Sequence, residues 1–312
     1  MAKYKNSSNK KSLIFLLFAG VFVFSMANLL PKIQVYINKP EAAALLTFPK
    51  DHVSHPDYKA EWWYLNLHTK TTNGTNVEDL SYLLSFSRIG KNVGLLSSRY
   101  NKSNNSFNER TDRGKDLNDL VVYLQNQKYL FVQYTNGQNY ATLEEKKPES
   151  SGRKIYKLTG KTTEIGTFNL TLKERKASSL PLLWGGNTGN CRGRISVFDK
   201  NDTYYYSIPN LDITGTITDV DGTIRNVKAG KAWMDHQWFS STPPGNWIGH
   251  YWSSLHFANS NDFYGASQHY AVGFVTQIYN DEKLGEISKN TYRVKRNPNG
   301  SNECGHQGNI SI

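Results

Sequence analysis

The segment LDITGTITDVDGTIRNV, residues 211–227, predicts a β-hairpin. Its apolar residues before the turn fall at alternate positions, the period that brings side chains to one face of a strand. Asp221-Gly222 then separates two such runs, and Asp-Gly is favoured in tight hairpin turns because Gly accepts a positive φ. The segment therefore indicates antiparallel β structure.

The same alternation continues along the chain, as in Thr167–Leu172, and no segment after residue 45 keeps a helical period. Further strand-like runs separated by Asn, Gly, Asp and Ser are Leu80–Ile89, Leu120–Leu124, Tyr129–Tyr134, Ile155–Thr159, Tyr204–Ile208, Trp247–Phe257 and Ala271–Tyr279. Short strands at this spacing are typical of a sandwich or antiparallel barrel. The pattern predicts an all-β protein and excludes Rossmann folds and helix bundles.

Composition supports a folded chain with a sizeable core. Of 312 residues, 38% are hydrophobic and 20% charged, which excludes a disordered polyelectrolyte. The formal net charge is +11, but the basic residues are scattered and do not form a run with interleaved aromatics. We therefore expect no nucleic-acid partner.

The N-terminus has the features of an export signal. Lysines between Lys3 and Lys11 precede the apolar run Leu13–Phe24, which has signal-peptide length. We expect cleavage after Ala27 and a periplasmic or extracellular protein. The alternative is an uncleaved membrane anchor, because weaker apolar character continues so that residues 13–37 could span a bilayer.

Three segments follow from these patterns. Residues 1–44 form the signal or anchor and a linker, 45–190 a first β domain, and 191–312 a second. The boundary is placed where Lys173–Gly193, rich in Pro and Gly, interrupts the strand rhythm. The only cysteines are Cys191 and Cys304; they exclude a thiolate metal site, and whether they pair stays open.

The first chemically rich cluster joins residues 51–55 to residues 61–68. As a strand, 61–68 places Trp62, Tyr64, Asn66 and His68 on one face. That face suits the wall of a ligand cavity or, equally, an aromatic barrel core. We expect His52 and His55 to make local hydrogen bonds in a turn, and we predict no metal site because no third ligand has a recognisable spacing.

The second cluster is Lys231–Phe239, where Trp233, Asp235, Gln237 and Phe239 alternate with Met234, His236 and Trp238. The rings beside Asp235 predict a desolvated carboxyl with a raised pKa, as a general acid requires. The alternative is a structural Asp that accepts hydrogen bonds. The sequence contains no His-Glu-x-x-His, Gly-x-Ser-x-Gly or Gly-x-x-x-x-Gly-Lys motif, so a hydrolase has the weakest support.

Together these segments resemble the family of AttH-like proteins and carotenoid 1,2-hydratases (hydroxyneurosporene synthases), often labelled predicted secreted hydrolases. The matching motifs are Phe48–His55, Glu61–Tyr64, His68, Tyr205–Ser207, Gly215 and Gly230–His236. The resemblance implies two tandem lipocalin-like antiparallel β-barrels and an apolar ligand pocket. The closing strands of the second barrel are not evident after Phe263, so it is expected to be incomplete or divergent.

The resemblance also implies a reaction, hydration of a carbon–carbon double bond in a lipid or isoprenoid without a cofactor. Asp235 would protonate the alkene, the ring faces of Trp233 and Trp252 would stabilise the carbocation, and His236 or His68 would position the attacking water. The expected ligand-binding residues are Trp62, Tyr64, His68, Trp238 and Trp252. A noncatalytic lipid-binding or carrier protein remains the alternative, and the sequence does not indicate an oligomeric state.

Overall fold

The computed structural model describes residues 46–175, 177, 181–183, 193–196, 202–240, 247–256, 271–281 and 286–291. For residues 182, 194–196, 202 and those from 247 onward, only the backbone is described. Two short 3₁₀ helices span Lys50–His52 and Leu117–Asp119. The strands are β1 Ala60–Asn73, β2 Asn76–Ile89, β3 Asn92–Asn101, β4 Ser106–Arg113, β5 Leu120–Gln125, β6 Tyr129–Asn136, β7 Asn139–Lys146, β8 Ile155–Thr162, β9 Gly166–Glu174, β10 Leu182–Leu183, β11 Arg194–Ser196, β12 Asp202–Thr218, β13 Ile224–Phe239, β14 Trp247–His256, β15 Ala271–Asp281 and β16 Glu286–Thr291.

The larger sheet is antiparallel and has the order β4-β3-β2-β1-β13-β12-β9-β8-β7-β6-β5, with β10 and β11 also pairing with β12. A second sheet has the order β14-β15-β16. Each strand predicted from alternation lies within or overlaps an observed strand. The all-β, lipocalin-like fold class is confirmed, and the larger sheet curls into a half-barrel.

The curl brings strands near opposite ends of the sheet order together. The Tyr134 hydroxyl on β6 donates to the Asp112 carboxylate on β4 at 3.0 Å, and Asn136 Nδ2 donates to the Arg113 carbonyl at 2.7 Å. The inner face is filled by large apolar side chains. Those with at most 2% exposure include Trp63, Leu65, Leu67, Tyr82, Leu84, Phe86, Leu130, Val132, Tyr134, Leu143, Tyr156, Leu158, Leu170, Leu172, Leu211 and Met234.

Hydrogen-bonded pairing crosses the predicted domain boundary at residue 190. Strands β12 and β13 lie between β1 and β9, and β1 pairs with β13 from Ala60↔Phe239 to Thr72↔Asn226. The division into two domains stays a prediction. Residues 292–312 and both cysteines lie outside the described residues, and so does the expected cleavage site.

The hairpin between β12 and β13 forms where Asp221-Gly222 predicts it. Gly222 has φ +87° and its N–H donates to the Asp219 carbonyl at 2.9 Å. A second glycine, Gly215, lies at a register shift in β12 with φ +132°, and a Cβ there would lie 2.2 Å from the Asn169 carbonyl oxygen.

We expect Gly215→Ala to lower the free energy of unfolding by roughly 2 kcal/mol or more, because the new methyl group meets backbone and the φ disfavours L residues. Urea denaturation measures the loss. Gly222→Ala is the comparison, since nothing lies within 4 Å of its Cβ position and only the φ opposes it. An equal loss in both variants would contradict the steric argument.

Candidate functional site

Strands β1 and β13 place two polar clusters on opposite faces of the larger sheet. Asp235 pairs with Tyr64, and the next residue, His236, pairs with Trp63. Successive strand residues point to opposite faces, so Asp235 and His236 face different sides. This geometry corrects the expectation that His236 positions a water molecule for Asp235.

The Asp235 cluster consists of Asp235, Tyr64, Tyr205, Ser207 and Trp233. Asp235 is 2% exposed, and its Oδ1 accepts hydrogen bonds from the Ser207 hydroxyl and the Trp233 indole N–H. The Tyr205 side chain also hydrogen-bonds to this carboxyl group. Within the described part of the chain, Asp235 forms no ion pair with Lys or Arg. Its carboxyl group is therefore held by neutral donors alone.

Burial sets the electrostatics of this cluster. It raises the pKa of Asp235 to about 7, and the hydrogen bonds from Ser207, Trp233 and Tyr205 only partly oppose that effect. The shift has the direction predicted from the flanking rings. Burial and the neighbouring Asp235 also raise the pKa of Tyr64 above its usual range.

Trp62 and His68, two of the predicted ligand-binding residues, lie on the same face of the sheet as Asp235 but at different distances from it. Trp62 is half-buried and makes an edge contact with Phe239 at a ring-centroid distance of 5.1 Å. His68 is exposed, and its Nδ1 lies 2.9 Å from the Ser81 hydroxyl. It is four residues from Tyr64 along β1, roughly 13 Å at strand rise. His68 is therefore too far away to position water beside Asp235.

The structure places the other tryptophans of the predicted site, Trp233, Trp238 and Trp252, in different surroundings. Trp233 is fully buried and offers its N–H to Asp235. Trp238 lies on the opposite face, where its ring stacks on His55 at 3.8 Å with an interplanar angle of 6°. This is the face that strand alternation predicts for it, and its predicted role in ligand binding would therefore belong to that face. The side chain of Trp252 lies outside the described residues.

The Glu61 cluster occupies the inner face and consists of Glu61, Ser54, His55, Arg88 and His236. Glu61 is fully buried, and its Oε1 lies 2.8 Å from His55 Nδ1 and 3.0 Å from His236 Nε2. Its Oε2 accepts from the Ser54 hydroxyl at 2.9 Å and from Arg88 at 3.3 Å. These partners lower the pKa of Glu61, so the carboxylate is ionised although it is buried.

A hydrogen-bonded chain extends from this cluster to the segment before β1. Burial lowers the pKa of His236 to about 4, so the ring is neutral and carries one N–H, which points at Glu61. His236 Nδ1 then accepts from the Tyr206 hydroxyl at 3.1 Å, and that oxygen accepts from His52 Nδ1 at 2.7 Å. The His52 ring therefore bonds to a distant strand, where a local turn contact was expected. His55 makes local contacts, with Asp51 four residues away and Glu61 six residues away.

Sequence reasoning missed Glu61 and Arg88 as partners. Their side chains meet across 27 residues of sequence, and Glu61 meets His236 across 175. The available signal is weak: Glu61 is an acidic residue on the strand face that also carries Trp63 and Leu65. An acidic side chain on an otherwise apolar face predicts a buried partner without naming it.

Tyr206→Phe tests the hydrogen-bonded chain. The variant removes the hydroxyl that joins His52 to His236 and leaves two buried ring nitrogens without that partner. We expect the free energy of unfolding to fall by about 1–3 kcal/mol. Tyr123→Phe, at an exposed tyrosine on β5, is the control. If Tyr206→Phe lowered the free energy of unfolding no more than Tyr123→Phe, the result would contradict the hydrogen-bonded chain.

Comparison with known proteins agrees with this fold. The profile of the AttH-like family matches residues 39–273. The structure resembles that of a candidate AttH protein from Nitrosomonas europaea, with a TM-score of 0.52 and 19% identity over 81% of this chain and 74% of that one. At this identity the likeness concerns the fold alone.

Kievitone hydratase from Nectria haematococca is also similar, with a TM-score of 0.47 and 16% identity over 83% of this chain and 70% of that one. That score carries no argument about function. No curated protein matches the sequence. Because the family match spans most of the sequence, this chain belongs to the AttH-like family.

Proposed function

We propose that this protein binds a lipid or isoprenoid against the Asp235 face of the sheet and hydrates a carbon–carbon double bond in it. The observation that supports this function is a buried carboxyl group held by neutral donors, with no described cation beside it. A structural carboxylate at such a site would normally have a cationic partner. An acid that must donate its proton needs the opposite environment.

The buried carboxyl group is the proton donor. Ser207, Trp233 and Tyr205 hydrogen-bond to it, and burial favours its protonated form. Asp235 transfers this proton to one alkene carbon, and the other carbon becomes a carbocation. Rings on the same face, Trp62 and Tyr64, stabilise that cation with their negative π faces. Water adds to the cation and its surplus proton returns to Asp235, so the net reaction adds one water.

The sequence resemblance to carotenoid 1,2-hydratases supports the same chemistry and an apolar substrate. Membership of the AttH-like family agrees with that resemblance without naming a substrate. A noncatalytic carrier is the competing function, because the same aromatic face would bind an apolar molecule without reacting. An assay with a variant that keeps the shape of Asp235 but cannot donate a proton distinguishes an enzyme from a carrier.

The test supplies acyclic isoprenoids and unsaturated lipids in detergent to the purified full chain and follows a mass gain of one water. We expect Asp235→Asn to abolish turnover while binding stays nearly intact, because the amide keeps the shape but cannot release a proton. Asp221→Asn, the same change at an exposed turn, should keep wild-type turnover. Tight binding of a lipid by the wild type without any product would favour the carrier.

Export is also part of the proposal, supported by Lys3–Lys11 and the apolar run that follows. Among the residues that the structure describes, no helix has the length and hydropathy to cross a bilayer. We expect N-terminal sequencing of the mature protein to begin at Asn28, or to find Met1 in the membrane fraction if the segment is kept as an anchor. Full-length chain in the soluble cytosolic fraction would contradict export.

A further inference from the structure

We propose that His55, Glu61 and His236 form a binding site for a divalent transition-metal ion of the zinc type. One ligand atom from each of the three side chains lies within 4.8 Å of the other two. Two imidazole nitrogens and one carboxylate oxygen are ligands that Zn²⁺ takes in proteins. The site lies on the face opposite Asp235, so the inference is independent of the proposed hydration.

The two imidazoles converge on one atom. His55 Nδ1 is 2.8 Å and His236 Nε2 is 3.0 Å from Glu61 Oε1. An ion bound here takes the place of the N–H groups that join these atoms. Each imidazole then stays neutral with its proton on the other ring nitrogen, which is Nε2 toward Asp51 in His55 and Nδ1 toward the Tyr206 oxygen in His236. Tetrahedral ligands bonded at about 2.0–2.2 Å to one ion lie roughly 3.4 Å apart. The two short distances from Glu61 Oε1 would therefore lengthen by about half an ångström, and the two imidazoles would turn toward the ion.

The atoms that would face away from the ion already have partners. His55 Nε2 lies 3.4 Å from the Asp51 carboxylate, and His236 Nδ1 lies 3.1 Å from the Tyr206 hydroxyl. Metal-bound histidines usually hold their other ring nitrogen in this way, which fixes the ring orientation. Glu61 Oε2 is likewise held, by Ser54 and Arg88.

Arg88 is the group that opposes a cation, and its position limits that effect. Its guanidinium contacts Oε2, the oxygen that the histidines do not use. Two carboxylates, those of Asp51 and Glu61, lie at the site, and the Arg88 guanidinium is the single fixed positive charge beside them. An ion therefore enters a site whose carboxylates and guanidinium together carry one net negative charge, with neutral imidazoles as ligands.

The exposed fractions indicate how an ion enters. The side chains of Glu61 and His236 are 0% exposed, whereas those of His55 and Asp51 are 17% and 15% exposed. Entry is thus from the His55 side, through the segment before β1. Three protein ligands also leave a coordination position for water or an added group.

The experiment uses the purified full chain, with its thiols alkylated and its metal removed by EDTA, and titrates Zn²⁺ and Co²⁺ separately. We expect one ion per chain, visible d–d absorption from bound Co²⁺, and a raised melting temperature. His55→Gln should abolish this site, and Asp51→Asn should weaken binding 10–100-fold. His68→Gln, at an exposed histidine elsewhere on β1, is the matched control and should bind like the wild type.

Folded wild-type protein that binds no stoichiometric ion would overturn the proposal. Unchanged affinity in His55→Gln would also overturn it, because the ion would then be held elsewhere. The decisive variant is His55→Gln, because His55 is the partly exposed ligand and its replacement disturbs the core least. His236 is fully buried, so the test does not depend on whether His236→Gln folds. Far-ultraviolet circular dichroism of each variant shows that it retains the sheet.

Discussion

Replacing Glu61 with Gln is expected to lower the free energy of unfolding by roughly 3–5 kcal/mol. The carboxylate is fully buried and compensates the Arg88 guanidinium and the two imidazoles of its cluster. A neutral amide leaves the Arg88 guanidinium without its counter-ion. The NH₂ group of the amide also faces hydrogen-bond donors where the wild type has an acceptor oxygen. Urea denaturation in EDTA at neutral pH measures the loss without any contribution from a bound metal.

Glu149→Gln is the matched control for this prediction. Glu149 also contacts two cations, Lys173 and Arg153, but its side chain is 40% exposed. Water screens exposed ion pairs, so we expect little change in the free energy of unfolding. Equal losses in the two variants would show that burial of Glu61 is not what makes its contacts important.

The second large effect is a gain of stability in Asp235→Asn at alkaline pH. Burial raises the pKa of Asp235 to about 7, so folding favours the protonated form. The stability that this preference contributes is fully present below the unfolded-state pKa near 4 and is lost as pH rises through 7. For a shift of this size the loss is about 4 kcal/mol.

Because Asn does not titrate, the variant avoids that loss. The unfolding free energy of Asp235→Asn minus that of the wild type should therefore increase by about 4 kcal/mol between pH 4 and pH 8.5. Urea denaturation across this range gives the difference, and subtraction at each pH cancels the titration of the groups that both proteins share. Asp221→Asn, at an exposed turn, provides the baseline.

A difference that does not change with pH would mean that folding leaves the pKa of Asp235 unshifted, so that the carboxyl group is ionised at neutral pH. It would remove the basis for a general acid at this position. The expected result, more stability together with lost turnover, is the signature of a residue kept for activity at the expense of stability.

Much of this structure follows from local sequence pattern. Alternation in Glu61–His68 and Lys231–Phe239 gave the correct faces, with Trp62, Tyr64 and His68 on one side and Met234, His236 and Trp238 on another. Asp221-Gly222 predicted the turn between β12 and β13. The rings beside Asp235 also predicted the direction of its pKa shift. These features were predictable because strand period, turn conformation and immediate desolvation depend on residues close in sequence.

Only the tertiary structure decided which faces meet. Pairing of β1 with β13 brings Trp63 opposite His236 and gives Glu61 a partner 175 residues away. The same pairing carries the sheet across residue 190 and places Tyr64, not His68, opposite Asp235. No local signal encodes these contacts, because register between distant strands is selected by the burial and hydrogen bonding of the whole sheet.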